Sequence, residues 1–158
     1  MPSSHEEWIR QAIGLAVENV RNARGGPFGA VIVKNNEMIA TGVNIVTTTH
    51  DPTAHAEIMA IRAACQKLQS FQLDGCELYT SCEPCPMCLG AIYWARPKAY
   101  YFACTRESAA QAGFDDAYID DQLHLKPEER AIPGHCMPVG KSSAPFVEWA
   151  QSIGKIQY

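Results

Sequence analysis

Three stretches of the chain repeat apolar residues at the spacing of three and four that is typical of an amphipathic helix. The first begins at a Ser4-x-x-Glu7 capping box, the second follows a cap at Asp51 or Thr53, and the third covers residues 144–153. We expect the apolar face of each helix to pack against a common core. The predicted buried positions are Ile9, Ile13, Ala16, Val17 and Val20 in the first helix, Ile58, Ile61, Ala64 and Leu68 in the second, and Phe146, Val147, Ala150 and Ile153 in the third.

Short apolar runs between these helices predict β-strands. Residues 30–33 and 38–40 flank Asn35-Asn36, a pair typical of a two-residue hairpin turn. Two more strands are expected at 77–80 and 99–103, with a helix over 85–95 between them and a short helix over 107–112 after them. Strands that alternate with helices over 158 residues predict one layered α/β domain.

The charge balance argues against a polyanionic partner. The formal net charge is −4 and no run of Lys or Arg occurs, whereas nucleic-acid-binding domains usually carry a basic patch. No stretch approaches the ~18 consecutive apolar residues of a membrane span, and the acidic start with Glu6 and Glu7 differs from the basic start of a secretory signal. We therefore expect a cytoplasmic protein with a small-molecule substrate and with neither a nucleic-acid nor a membrane partner.

Cysteine and histidine residues at two places have the spacing of metal ligands. Cys85 and Cys88 lie three residues apart at the start of a predicted helix, so both can project from one face. His55 can supply a third ligand, and a fourth Cys or His at comparable spacing is absent near either motif. Three protein ligands and an open position are typical of catalytic zinc. We therefore predict one zinc ion held by His55, Cys85 and Cys88, with water as its fourth ligand.

Glu57 follows His55 by two residues and has a different predicted role. Residues two apart diverge in mid-helix, but both reach one cavity in a first turn, where the predicted cap places them. The partial positive charge of that helix end favours a neutral histidine. Zinc lowers the pKa of its bound water to about 7. Glu57 can then carry the water's proton to the substrate as a general acid–base.

Each motif alone has an ordinary alternative. A lone Cys-x-x-Cys can be redox-active, a lone histidine is more often a satisfied surface or core residue, and His-x-Glu alone carries little information. The chain contains both His55-x-Glu57 and Pro84-Cys85-x-x-Cys88. This combination is the sequence pattern of the zinc deaminases, in which the glutamate is the general acid–base and not a ligand. The conjunction therefore predicts a zinc-dependent deaminase.

Nearly the whole chain resembles the cytidine/deoxycytidylate deaminase superfamily, and within it the small bacterial-type guanine deaminases. The most specific stretches are residues 25–33, 51–57, 79–98 and 112–116. The resemblance weakens over 132–143, where Gly134-His135-Cys136 departs from the family pattern. It implies a three-layer α/β/α fold with a mixed five-stranded sheet, and residues 1–158 as a single zinc-dependent deaminase domain.

The resemblance also implies roles for five further residues. Asn44 matches an asparagine that hydrogen-bonds the purine, and Phe28 and Trp94 match aromatic residues that pack around it. Asp116 matches a carboxylate that binds the guanine edge and carries protons beside the catalytic glutamate. Tyr158 matches a terminal aromatic residue that reaches into the active site. By residue type alone, Asn44 is equally well a turn residue, and Phe28 and Trp94 are more often core.

In the family branch that the chain resembles, the C-terminal segment is swapped between the subunits of a homodimer. The resemblance therefore implies a dimer in which residues from about 140 to 158 exchange, so that Tyr158 closes the partner's pocket. The implied reaction is hydrolysis of guanine to xanthine and ammonia, with attack at C2 of the ring while Glu57 protonates N3.

Three alternatives stay open at this point. Guanosine is an alternative substrate, as in related plant enzymes. A tRNA adenosine deaminase is another, because residues 55–60 also resemble that branch, although such an enzyme needs a basic surface for the phosphate backbone. The third is a non-enzymatic zinc module, which would require a fourth protein ligand.

Overall fold

The computed structural model of the chain describes residues 4–158, which form two compact units, the first ending at Ala117 and the second covering Tyr118–Tyr158. The strands are β1 (Gly29–Lys34), β2 (Glu37–Val43), β3 (Cys76–Cys82) and β4 (Ala99–Cys104). The helices are α1 (Ser4–Arg21), α2 (Val46–Thr49), α3 (Ala56–Leu68), α4 (Pro86–Ala95), α5 (Arg106–Gln111), α6 (Asp116–Leu123) and α7 (Ala144–Gln151), with a 3₁₀ helix at Pro127–Glu129. Within residues 4–158, no helix is both long and apolar enough to cross a membrane.

The strands form one mixed sheet in the order β2-β1-β3-β4, in which β1 is antiparallel to both neighbours and β4 is parallel to β3. The predicted hairpin is present, because Asn35 and Asn36 both adopt positive φ, as a type I′ turn requires. The expected α/β fold is therefore confirmed. The expected fifth strand is wrong for residues 4–158: after β4 the chain enters α5 and α6 instead of returning to the sheet.

Both faces of β1 are buried, which explains its continuous apolar run. Ala30 and Ile32 face the core shared with α3 and α4, while Val31 and Val33 face a second cluster that includes Ala12 of α1. Successive side chains of a strand point to opposite faces, so helices cover the sheet on each side. The first unit is thus the expected three-layer α/β/α arrangement.

The buried face of α1 differs from the predicted one. Ala12, Ala16 and Asn19 are buried, whereas Ile13, Val17 and Val20 are 40%, 42% and 51% exposed. Gly29 at the start of β1 is the cause, because a Cβ there would overlap the backbone of Ala12 and Ala16. So close an approach of helix and strand requires small side chains on α1 at the point of contact, Ala12 and Ala16.

The start of α3 also differs from the prediction. The N-cap of α3 is His55, in extended conformation, and the predicted caps Asp51 and Thr53 lie before the helix. The Asp51 carboxylate accepts hydrogen bonds from the Thr53 backbone N–H and hydroxyl, at 2.8 and 2.6 Å. Because the Asp51 side chain is hydrogen-bonded within its own turn, it does not cap the helix, and α3 begins at Ala56.

The second unit contains the 3₁₀ helix and α7. The apolar positions predicted to pack from α7 are exposed in it: Phe146 is 76% exposed, Val147 is 49% exposed, and Ile153 lies beyond the helix end and is fully exposed. The prediction of a buried stripe is therefore wrong for this unit by itself. The helical pattern of α7 is real, but the unit is too small to cover it.

Candidate active site

The first turns of two helices bring the predicted ligands together. His55 is the N-cap of α3, and Cys85 is the N-cap of α4, with Pro86 in the first turn and Cys88 near the helix start. The Cys85 sulfur accepts a hydrogen bond from the Cys88 backbone N–H at 3.5 Å. Both N-caps have extended backbone, but only the Cys85 side chain caps its helix, where the positive end of the helix dipole favours the thiolate.

The spacing of the three ligand atoms fits a tetrahedral zinc ion. His55 Nδ1 lies 3.6 Å from Cys85 Sγ and 3.5 Å from Cys88 Sγ. With Zn–S near 2.3 Å and Zn–N near 2.0–2.1 Å, two tetrahedral ligands stand about 3.6 Å apart. Among residues 4–158, His55, Cys85 and Cys88 form the one group of three or more such donors close enough to share an ion. The donor set therefore fits zinc and leaves a fourth position open.

The ligand side chains shift one another's pKa values before any metal binds. The neighbouring Cys88 side chain and the adjacent His55 lower the pKa of Cys85 to about 4. The hydrogen bond with Cys85 raises the pKa of His55. Zinc binding requires thiolate and neutral imidazole, so the lowered pKa of Cys85 favours metal binding, whereas the raised pKa of His55 opposes it.

Glu57 lies beside the ligands, almost completely buried. Its Oε1 accepts a hydrogen bond from the Thr80 hydroxyl at 3.1 Å, and its Oε2 lies 3.4 Å from Cys88 Sγ. Burial raises the pKa of Glu57, although the contacts with Cys88 and Thr80 oppose this shift. A carboxyl group that holds a proton more readily than usual is suited to pass protons at neutral pH.

A cavity of about 540 Å³ opens onto this group. Small-molecule sites usually measure roughly 300–1,000 Å³, so the cavity is large enough for a heterocyclic base. It is lined by predicted site residues from several elements. These are Phe28, Asn44, His55, Glu57, Cys85 and Asp116.

Asn44 is held so that one end of its amide is already used. Its Oδ1 accepts from the backbone N–H groups of Gly26 and Val46, both at 3.3 Å. The Asn44 amide nitrogen is therefore the group left to donate to a ligand. Buried Asn19 of α1 supports this loop, because its Nδ2 donates to Gly26 O at 2.9 Å and to Asn44 O at 2.8 Å.

Residues 2–104 match the family model of the cytidine and deoxycytidylate deaminase zinc-binding region. The chain belongs to this deaminase family. It is therefore a zinc-dependent hydrolase of C–N bonds, and the tetrahedral donor set of His55, Cys85 and Cys88 is the candidate zinc site.

Several relatives extend the comparison beyond the zinc-binding region. The chain is 53% identical to guanine deaminase of Bacillus subtilis over 155 residues, 98% of this chain and 99% of the relative. The crystal structure of that deaminase matches with a TM-score of 0.96, covering 100% of this chain and 99% of the other. A tRNA-specific adenosine deaminase of Aquifex aeolicus is 47% identical over 77 residues, about half of each chain (49% and 51%). A solved structure in complex with 2,6-diaminopurine matches with a TM-score of 0.68 and 34% identity, covering 71% of this chain and 62% of that one.

Trp94 and Tyr158, two further residues with expected roles in this deaminase, are exposed in the single chain, and their roles stay predictions. Trp94, on α4, is 62% exposed and does not line the cavity. Tyr158 belongs to the second unit and is 67% exposed. Asp116 begins α6 and does line the cavity, where burial raises the pKa of its carboxyl and the negative charge of Cys85 adds to the shift.

The deaminase site also contains residues to which the sequence analysis gave no role. Phe114 lines the cavity and packs edge-on against Phe28, with ring centroids 4.9 Å apart. Glu83 lines it too, and its carboxylate is held by Arg106, whose backbone N–H donates at 3.1 Å. Arg106 also donates to Pro84 O at 3.3 Å and so fixes the turn before Cys85. Phe114 and Glu83 lie within the family-specific stretches 112–116 and 79–98, and that position was the signal that could have identified them.

Proposed function

We propose that the chain is a guanine deaminase that hydrolyses guanine to xanthine and ammonia. One observation supports this choice above the others: Asn44 and Asp116 line the same cavity as Glu57 and the candidate zinc ligands, in a chain that matches Bacillus subtilis guanine deaminase almost end to end. The tRNA-specific relative matches only about half of this chain. The net charge of −4 also disfavours an RNA substrate.

Glu57 is the proposed proton carrier of the reaction. When bound, zinc supplies Lewis acidity that makes a water molecule nucleophilic at neutral pH. The buried Glu57 carboxylate, whose Oε2 lies 3.4 Å from Cys88 Sγ, stands beside the zinc ligands and would take one proton of that water. It would deliver this proton to N3 of the ring as C2 is attacked, and would then carry the water's second proton from the new hydroxyl on C2 to the departing amine. Asp116, in the same cavity, would assist this transfer.

Asn44 and Asp116 are the proposed recognition residues. Asn44 presents N–H donors, because its Oδ1 already accepts from Gly26 and Val46. A carboxylate such as Asp116 accepts hydrogen bonds from N–H groups. Guanine offers both ring acceptors and N–H donors, so it can satisfy both residues, whereas a base without them leaves buried polar groups unpaired. Phe28 would pack against the ring.

A substrate panel tests the proposal. Zinc-loaded protein is mixed separately with guanine, guanosine, adenine and cytosine, and ammonia release is followed. We expect release from guanine. Release from guanosine alone would overturn the choice of substrate, and release from none of the four would favour a zinc module without this activity. The Asp116→Asn variant is measured in the same substrate panel, because it keeps the shape of the side chain but removes its negative charge.

We further propose that the chain works as a cytoplasmic homodimer in which residues 140–158 exchange. Both zinc-ligand thiols must stay reduced, which suits a reducing compartment. The second unit exposes many apolar side chains, which is typical of an interaction surface. They are Ile132, Met137, Val139, Phe146, Ile153, Ile156 and Tyr158.

Complementation between two defective variants tests the exchange. Glu57→Ala lacks the proton carrier but keeps the tail, whereas Tyr158→Ala keeps Glu57 but alters the tail. If Tyr158 closes the partner's site, co-expression of the two variants forms mixed dimers with one complete site. We expect activity above that of either variant alone. Monomers by light scattering, or no gain in activity from co-expression, would contradict the exchanged dimer.

A further inference from the structure

Thr80 contacts the proposed proton carrier from the middle of the sheet. We propose that Thr80 is a positioning residue whose hydroxyl holds Oε1 of Glu57 and so keeps Oε2 turned toward the zinc ligands. The inference rests on the proposed function, since it takes Glu57 as the proton carrier. It goes further by assigning a role in turnover to a residue to which the sequence pattern gave none.

The position of Thr80 is fixed on both sides. In the sheet, Thr80 pairs with Ala30 of β1 and with Phe102 of β4, so strands on both sides fix the backbone of Thr80. Thr80 is fully buried, and its Oγ1 donates to Glu57 Oε1 at 3.1 Å. A hydroxyl on a central strand is a more rigid donor than one on a surface loop. Thr80 therefore presents the long Glu57 side chain with a hydrogen-bond donor whose position is fixed.

The choice of threonine itself indicates a requirement for the hydroxyl. Leu78, two residues earlier on the same strand, and Ala30, opposite Thr80, both belong to an apolar core cluster. Valine has the same shape as threonine and would suit such surroundings. A buried hydroxyl is unfavourable unless it is hydrogen-bonded, and here its partner is Glu57.

Zinc binding makes this contact more important. In the metal-free protein, Glu57 accepts hydrogen bonds from the Thr80 hydroxyl and from the Cys88 thiol. Zinc ligands are deprotonated, so Cys88 no longer has a proton to donate once it binds the metal. Across residues 4–158, Thr80 is then the side-chain donor that still holds the Glu57 carboxylate, beside the backbone N–H of Glu57 itself. The Thr80 hydroxyl therefore becomes a larger share of what orients Glu57.

Thr80→Val and Thr80→Ser separate a positioning role from a structural one. Valine keeps the volume and removes the hydroxyl, whereas serine keeps the hydroxyl and removes a methyl group. Loss of a partner that orients an active-site group costs about 10- to 100-fold in activity. For Thr80→Val we therefore expect a fall in kcat of about 10- to 100-fold, with KM and zinc content close to wild type. For Thr80→Ser we expect most of kcat to return, even if its Tm is the lower of the two.

A crystal structure of zinc-loaded Thr80→Val gives a readout besides activity. We expect the Glu57 carboxylate to leave its wild-type position while the zinc and its three protein ligands stay in place. An unchanged kcat in Thr80→Val, an unmoved Glu57, a loss of zinc, or an equal fall in kcat for the serine variant would each overturn the proposal. Wild-type protein without activity on guanine would instead refute the proposed function, and the position of Glu57 would still test Thr80.

Discussion

Gly42 of β2 lies directly against Ala56, in the first turn of α3. A Cβ at Gly42 would overlap the Ala56 carbonyl oxygen and the Ala60 backbone nitrogen. The contact involves backbone on both sides, so no side chain can rotate away to relieve it. Because His55 and Glu57 lie on either side of Ala56, the packing of one glycine determines where both groups stand.

Gly42→Ala should therefore damage both stability and the zinc site. Overpacking a core usually costs about 1–3 kcal/mol, and relief of the overlap must shift the start of α3. We expect a lower free energy of unfolding and weaker zinc binding, measured by denaturant titration and by metal analysis after dialysis. Gly14→Ala is the matched control: Gly14 is exposed within α1 with open space around it, so alanine should stabilise by about 0.5–1 kcal/mol. Equal zinc affinity in Gly42→Ala and wild type would contradict this account.

Removal of zinc should expose one unusually reactive thiol. The contacts with Cys88 and His55 lower the pKa of Cys85 to about 4, so in the metal-free protein Cys85 is a thiolate at neutral pH. Burial raises the pKa of Cys82 to about 11, so that thiol stays protonated. After chelation, brief iodoacetamide treatment and mass spectrometry should show fast labelling of Cys85, nearly constant between about pH 6 and pH 9, and slow labelling of Cys82.

Exposed Cys104 serves as the internal control for the labelling experiment, because its access to reagent does not depend on the metal. Its labelling rate should be the same with and without zinc. A Cys85 rate that rose about tenfold per pH unit up to pH 8.5, as for an ordinary thiol, would refute the lowered pKa.

Local sequence spacing predicted the residues of the candidate zinc site. Tertiary packing determined the features that spacing did not predict, such as the exact helix start and the buried faces of the helices. His55, Glu57, Cys85 and Cys88 stand on two helix starts, so a few residues of spacing were enough to bring each pair together. The sequence pattern did not predict the N-cap of α3 correctly. Asp51 is a residue type that often caps helices, but here its side chain is hydrogen-bonded within its own turn.

Faces and edges of elements were harder to predict for the same reason. The apolar residues Val17 and Val20 of α1 suggested a buried stripe, but the close approach of Gly29 selects the alanine face instead. The site residue Phe114 follows β4 only after another helix, so no periodicity connects it with Phe28. Such contacts join distant parts of the chain, and a local pattern cannot reveal them.

Glu57→Ala should separate metal binding from turnover. Glu57 is not among the ligand atoms, so the variant should keep its zinc. General acid–base groups contribute about 10²- to 10⁴-fold to rate, and we expect kcat to fall by that amount, measured as ammonia release from guanine. Glu37→Ala, at the exposed start of β2, is the control and should behave as wild type. Near-normal kcat in zinc-loaded Glu57→Ala would rule out the assigned role.

Asn19→Leu should weaken substrate binding from a distance. The buried Asn19 amide donates to both Gly26 O and Asn44 O, so leucine of similar size removes this donor from both carbonyls. Gly26 O keeps the Phe28 backbone N–H as a donor. The Asn44 carbonyl loses its partner at a cost of about 1–3 kcal/mol, and the loop that aims Asn44 should loosen. Because Asn19 is far from the proton carrier in the sequence and shares no hydrogen bond with it, we expect KM for guanine to rise by more than kcat falls. Steady-state kinetics on Asn19→Leu and on the exposed control Asn22→Leu measures this split. If kcat falls instead while KM holds, then Asn19 supports the chemistry and not the purine-binding loop.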